Sequence, residues 1–154
     1  MAKDILIEVS CKAGVTDPVG QGLANDIVHL GLAKVKSVSS AQLYRLSGTI
    51  STEDELRITR DLLCDPILNE SLSRDEATQD NAITIDIWYK TGVTDVVGDS
   101  VRKGILDLDI HGVQSVRTGM RYHLHGVTRR EVAEKIALAL LVNPLVHEST
   151  IHAD

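Results

Sequence analysis

Gly14-Val15-Thr16-Asp17-Pro18-Val19-Gly20 returns as Gly92-Val93-Thr94-Asp95-Val96-Val97-Gly98, and the same shift of 78 positions runs without a gap to the end of each half. Lys12 pairs with Lys90, Tyr44 with Tyr122 and Pro66 with Pro144. An ungapped match at about a third identity is the mark of a duplicated folding unit. The chain therefore reads as residues 1–73, a linker at 74–81, and residues 82–154.

Each half carries the same succession of signals. Ile5, Ile7 and Val9 alternate with Leu6, Glu8 and Ser10, as Ile83, Ile85 and Ile87 alternate with Thr84, Asp86 and Trp88, which is the period of a half-buried strand. The repeated loop then starts a helix. Asp17 and Asp95 are placed to accept orphan backbone N–H groups as N-caps, and Pro18 presets φ at the first helical position. The expected apolar stripes are Val19, Leu23, Ile27 and Leu30, and Val97, Val101, Ile105 and Leu108, with Gly31 ending the first helix.

Val35 to Val38 with Tyr44 to Gly48, and Val113 to Val116 with Tyr122 to Gly126, read as two hairpins, the second turning at Thr118-Gly119. Thr52 with Glu55, and Thr128 with Glu131, have capping-box spacing before helices carrying Leu56, Leu62 and Leu63 or Val132, Ile136 and Leu140. Pro66 and Pro144 stop these helices, and Ile67 to Leu72 and Leu145 to Ile151 supply last strands. The expected order is β-α-β-β-α-β in each half. This is an α+β fold of two tandem ferredoxin-like units packed as a pseudo-dimer.

Composition narrows the function. With no Phe, one Trp and net charge −6, the chain lacks both the stacking platforms and the basic surface of a nucleic-acid binder. The longest apolar run, Ile136 to Val142, is too short to span a bilayer, and the charged N-terminus leads directly into a strand instead of a signal sequence. Cys11 and Cys64 face Tyr89 and Val142 in the other half, so they read as buried free thiols of a cytoplasmic protein.

No complete active site stands out. Gly14 to Gly22 lacks the Gly-Lys-Ser/Thr ending of a phosphate loop, and Asp17 places a carboxylate where an anion would sit. His123 and His125 share a strand face and would need a third ligand such as His147 or His152 to hold a metal; their counterparts are Arg45 and Ser47. No catalytic residue and no metal ligand is assigned. Polar groups at element ends are carried instead as partner-facing candidates: Lys12, Asp17, Lys90, Asp95, Arg117, Thr118, Gly119 and Arg121.

Lys12-Ala13-Gly14-Val15-Thr16-Asp17-Pro18-Val19-Gly20, Leu30-Gly31-Leu32 with Val35, and the Asp-Pro within Leu63 to Leu68 resemble the PurS family. In the second half Val116-Arg117-Thr118-Gly119 is similar to that family's Val-Arg-x-Gly turn, and Leu141-Val142-Asn143-Pro144-Leu145-Val146 to its closing segment. The resemblance covers nearly the whole chain, once per half. It departs at Ser39-Ser40-Ala41-Gln42, where the Arg-x-Gly turn is lost, at Val96, which replaces the loop proline, and at Thr16 and Thr94, which replace leucine.

The resemblance implies the small subunit of phosphoribosylformylglycinamidine synthase, which makes the amidine from the formylglycinamide ribonucleotide with ATP and glutamine-derived ammonia. Such a subunit joins the synthetase subunit to the glutaminase subunit, and a tandem copy is expected to be a dimer in one chain. ATP and glutamine would be used by those partners and no cofactor by this chain; further self-association is left open. Two other readings stand beside it. One is a regulatory module binding a small effector along Gly14 to Gly22, and the other an enzyme with a metal at His123 and His125.

Overall fold

The repeated loop folds the same way twice in the computed structural model, which describes residues 2–12, 14–65, 68–72 and 83–152. Gly14 and Gly92 take φ of +84° and +91°, a left-handed turn open to glycine at little cost. Asp17 and Asp95 follow in extended conformation, and each carboxylate accepts the N–H three residues on, from Gly20 at 3.0 Å and Gly98 at 2.8 Å. The last glycine of the motif answers to packing. A Cβ on Gly20 would lie 2.3 Å from the Val38 carbonyl oxygen, and one on Gly98 would lie 2.7 Å from that of Val116. The motif is thus a turn, a cap and a close approach of helix to strand.

The strands and helices run β1 (Lys3–Cys11), α1 (Pro18–His29), β2 (Ser37–Gly48), α2 (Thr52–Ile58), β3 (Asn69–Leu72), β4 (Ile83–Tyr89), α3 (Val96–Asp107), β5 (Val113–His125), α4 (Arg130–Ile136) and β6 (His147–His152). The strands form one antiparallel sheet in the order β3-β1-β2-β5-β4-β6. The expected linker Ser73 to Ala82, together with Pro66 and Ile67, lies outside the described residues. Among the described residues no helix is long and apolar enough to cross a membrane.

The two hairpins are not there. Residues 37–48 and 113–125 are single unbroken strands, so each half reads β-α-β-α-β instead of β-α-β-β-α-β. Gly119, expected to turn the chain, pairs with Trp88 across the β4–β5 ladder. A Cβ there would come within 2.6 Å of the Ile87 carbonyl oxygen and 2.8 Å of the Trp88 ring. The glycine makes room for an indole; it does not supply a turn.

Because those strands continue, the compact units do not coincide with the sequence repeats. The first unit comprises Met1–Val15, Gln42–Ala77 and Thr94–Thr118. Its core joins Ile5, Ile7 and Val9 of β1 and Ile58 of α2 to Ile105 of α3 and Val113 and Val116 of β5. The second unit comprises Thr16–Ala41, Thr78–Val93 and Gly119–Asp154. Its core joins Leu23 and Ile27 of α1 and Val38 of β2 to Ile83, Ile85 and Ile87 of β4, Leu124 of β5, and Ala133 and Ile136 of α4. The helix that starts at each repeated loop thus packs on a strand from the other half.

Several local expectations shift by a residue or a turn. Ser51, not Thr52, caps α2 by accepting the Asp54 N–H at 3.1 Å, and Arg129 stands at the N-cap of α4 with no side-chain capping bond. Both helices widen into π-helical turns, Thr59–Leu63 and Ala137–Leu141, whose extra residue per turn moves the apolar phase. Ile58 is fully buried, whereas Leu56 and Leu62 are exposed. The stripes on α1 and α3 are narrower than expected, leaving Val19, Leu30 and Val97 exposed. The turn that ends α3 places Asp109 in the left-handed region, φ +63°, where α1 has Gly31 at +69°. Cys11 and Cys64 are not joined in a disulfide and are half-buried, less enclosed than the sequence suggests.

Two outcomes follow from the cores. Residues 1–76 expressed alone will be unfolded or self-associated, and mixing with residues 77–154 will restore one cooperative transition by circular dichroism; a folded monomeric half contradicts the exchange. The second concerns alkaline pH. Burial raises the Tyr44 phenol, with the neighbouring Cys64 adding to it, raises the Tyr122 phenol, with Asp17 adding, and raises the Cys64 thiol against a Ser71 hydrogen bond that lowers it. Unfolded thiols and phenols ionise near about 8.5 and about 10, before these folded groups do, so stability is intact below those values and falls as pH rises through the higher folded ones. The urea midpoint will be flat from neutrality to about pH 8 and decline steadily above it.

Candidate functional site

Asp17 and Asp95 each do more than cap. The second oxygen of Asp17 accepts the Ser40 N–H at 2.6 Å, and the Ser40 hydroxyl donates to the same carboxylate at 2.8 Å. Asp95 repeats this with Thr118, whose N–H and hydroxyl both reach it at 2.7 Å. Each carboxylate therefore binds a helix start to the middle of a long strand, with its lone pairs engaged by three donors. At each helix start the Gly20 or Gly98 N–H is thus taken by the chain's own carboxylate, which stands where a phosphate would sit.

The lysines beside these loops have matching backbone roles. Lys12 donates its N–H to the Leu68 carbonyl at 2.9 Å, and Lys90 to that of Val146 at 2.8 Å. Each also accepts from the residue three further on, Val15 at 2.9 Å and Val93 at 3.1 Å, which closes the turn. The ammonium of Lys90 donates to the Pro144 carbonyl at 2.6 Å. Arg117 is half-buried on β5, and Thr118 is buried at the Asp95 anchor.

Arg121 belongs to a different cluster, on the face of the β4–β5–β6 sheet away from the helices. Its guanidinium holds Asp86 through two bonds, Nε to Oδ1 at 2.7 Å and Nη2 to Oδ2 at 2.9 Å. Asp86 is 4% exposed and Arg121 8%. His152 reaches Asp86 Oδ2 through Nε2 at 3.1 Å. Register explains the meeting, since Arg121 and Thr150 flank Asp86 across the two ladders while Thr84 is flanked by His123 and His152. Burying a carboxylate costs free energy that this bidentate geometry and the third contact offset.

The histidines divide between the faces. His123 Nδ1 meets the Thr84 hydroxyl at 3.2 Å, His125 Nε2 meets the Ser39 hydroxyl at 3.0 Å, and the two rings lie 6.4 Å apart. His147 pairs with Tyr89 in the ladder, on the side of Ile85 and Ile87, so it points away from them. Among the described residues no group of three or more His, Cys, Asp and Glu is arranged to hold a metal.

Of the eight partner-facing candidates, the structure brings together Asp95 with Thr118, and places Gly119 and Arg121 beside Trp88 and Asp86. Lys12 and Lys90 close their turns through backbone bonds, Asp17 is bound to Ser40, and Arg117 is half-buried on β5. The sequence assigned no functional role to Ser40 or Asp86, and offered His152 only as a third metal ligand. The available signal was Glu8 and Asp86, an acid recurring mid-strand between apolar neighbours. Replacing Asp95 by Ala removes a cap and strands the Thr118 donors, and is expected to cost about 3 kcal/mol in urea unfolding. The Asn variant keeps acceptor geometry on one oxygen and will cost less.

The PurS family, described as phosphoribosylformylglycinamidine (FGAM) synthase, matches residues 4–72 and again residues 82–154. A comparison with curated proteins found no match. The two matched segments include nearly every element described above, and each begins and ends with its own half of the duplication. The chain belongs to the PurS family, as two tandem copies consistent with a fused PurS dimer.

Proposed function

We propose that this chain is the non-catalytic assembly subunit of FGAM synthase, joining a synthetase subunit to a glutaminase subunit in purine biosynthesis in the cytoplasm. The observation that carries the reading is the family match met twice along one chain. The engagement of its motif side chains supports it: Asp17, Asp95 and Arg121 each bind another part of the same chain. ATP and glutamine would be handled by the partners, and this chain would contribute surface and spacing.

The fused-dimer reading extends to the fold. Taken alone, the first unit has strands in the order β3-β1-β2-β5 with α2 and α3, and the second has β2-β5-β4-β6 with α1 and α4. We read each as a ferredoxin-like arrangement in which one helix and one strand segment come from the other repeat. Two separate chains exchanging these parts would form an obligate dimer, and the tandem copy ties the exchange into one polypeptide.

The test is reconstitution. The chain, co-expressed with a synthetase and a glutaminase subunit from the same source, should co-purify with both, and glutamine-dependent amidine formation should require all three. Full glutamine-dependent activity of the other two without it would refute the assembly role.

A further inference from the structure

A cleft of about 220 Å³ opens within the second unit, between the α1–β2 connection and the β5–α4 connection. Its floor is apolar: Val127 is buried, and half-buried Leu32, Ala33 and Val132 pack on the same core. Exposed Lys34 and Arg129 stand at its rim, one on each connection. Arg129 has an exposed ion pair with Glu131 at 2.9 Å, a contact weak enough to yield to a competing anion.

The corresponding place in the first unit is closed. A shift of 78 turns Leu32, Ala33 and Lys34 into Ile110, His111 and Gly112, and Val127, Arg129 and Val132 into Thr49, Ser51 and Asp54. There the Thr49 N–H donates to the Gly112 carbonyl at 2.9 Å, and the two connections meet directly. A Cβ on Gly112 would fall 1.9 Å from the Thr49 carbonyl oxygen, so no side chain can stand at that position. Ser51 meanwhile caps its helix, a bond that Arg129 does not make. With Lys34 in place of the glycine, the nearest backbone bond between these connections is Lys36 N–H to the His125 carbonyl, at 2.8 Å. The space between them stays open.

The contents of the cleft suit one chemistry. Two cations above a floor of aliphatic carbon favour an anion with a short apolar body, and a guanidinium matches a carboxylate in two-point geometry. A volume of about 220 Å³ admits a metabolite of a few heavy atoms and not a nucleotide. We propose that this cleft binds a small branched aliphatic carboxylate, its charge between Lys34 and Arg129 and its carbon body on Leu32, Ala33, Val127 and Val132. The proposal does not depend on the assembly role above.

The full chain, labelled with nitrogen-15, would be titrated with isovalerate at neutral pH while amide shifts are followed. Saturable shifts confined to residues 32–34 and 126–132 are expected. Lys34→Gln and Arg129→Gln, both at exposed positions, should each weaken binding about tenfold with an unchanged melting temperature. Ala33→Trp should fill the cleft and abolish binding. Shifts that do not saturate, equal binding of uncharged isovaleramide or of inorganic phosphate, or unchanged affinity in the Lys34→Gln/Arg129→Gln double variant would overturn the assignment.

Discussion

Two strands that do not turn determine this structure. β2 and β5, of 12 and 13 residues, each extend roughly 40 Å, about twice an ordinary strand. A hairpin at their midpoints would return the chain to the core that its preceding helix had begun. Without a turn, β2 gives residues 37–41 to the second unit and residues 42–48 to the first, and β5 is divided at 118 and 119. The helix and strand that come next, α2 with β3 and α4 with β6, then fold with the unit that the long strand has reached. Repeats of about 75 residues bury modest apolar area alone, and shared cores relieve that marginality.

The repeated Asp fixes where each strand changes allegiance. Ser40 and Thr118, which donate to Asp17 and Asp95, lie immediately before the points at which β2 and β5 pass between units. Helix start and strand midpoint are therefore held as one piece, with Gly20 and Gly98 letting the first helical turn rest against the strand backbone. A carboxylate with several donors is among the stronger local contacts available. The same saturation explains why a motif with the outline of an anion loop binds its own chain. Its charge is already matched, and the N–H that an incoming anion would use is taken.

What could be read from the sequence was local. The first strands, the Asp caps, Pro18 and Gly31 each act through neighbouring residues and stand in the structure as read, but β4 is buried on both faces, with Thr84, Asp86 and Trp88 as enclosed as its isoleucines. Continuity of β2 and β5 was also written there, in a form easy to misread. Ser39-Ser40-Ala41-Gln42 contains neither glycine nor proline, and in the first half it looks like a lost signature; in the structure it runs on as strand. Thr118-Gly119 suggested the opposite because glycine serves both turns and tight packing, and only the ring of Trp88, some thirty positions away, decides between them. The π-helical turns that follow α2 and α4 leave no comparable mark. The Asp86–Arg121 pair depends on strand register, which no spacing within one strand contains.

That pair also separates the two copies. Arg121 corresponds to Leu43, which is fully buried, and Asp86 to Glu8, 3% exposed. One copy carries a guanidinium at this point of the sheet and the other an aliphatic side chain. Changing both members of a buried ion pair to well-packed apolar residues is often neutral, whereas removing one leaves a charge stranded at a cost of about 3–5 kcal/mol. Arg121 and Asp86 are thus locked together in a way that Leu43 and Glu8 need not be. A single gene encoding identical subunits cannot differ at equivalent positions. A tandem chain can, and the cleft floored by Leu32 and Val127, closed at Ile110 and Thr49, is a second place where the copies have parted. Duplication in one chain therefore changes more than the strength of the pairing, because it allows one unit to acquire surface chemistry while the other keeps its connections closed.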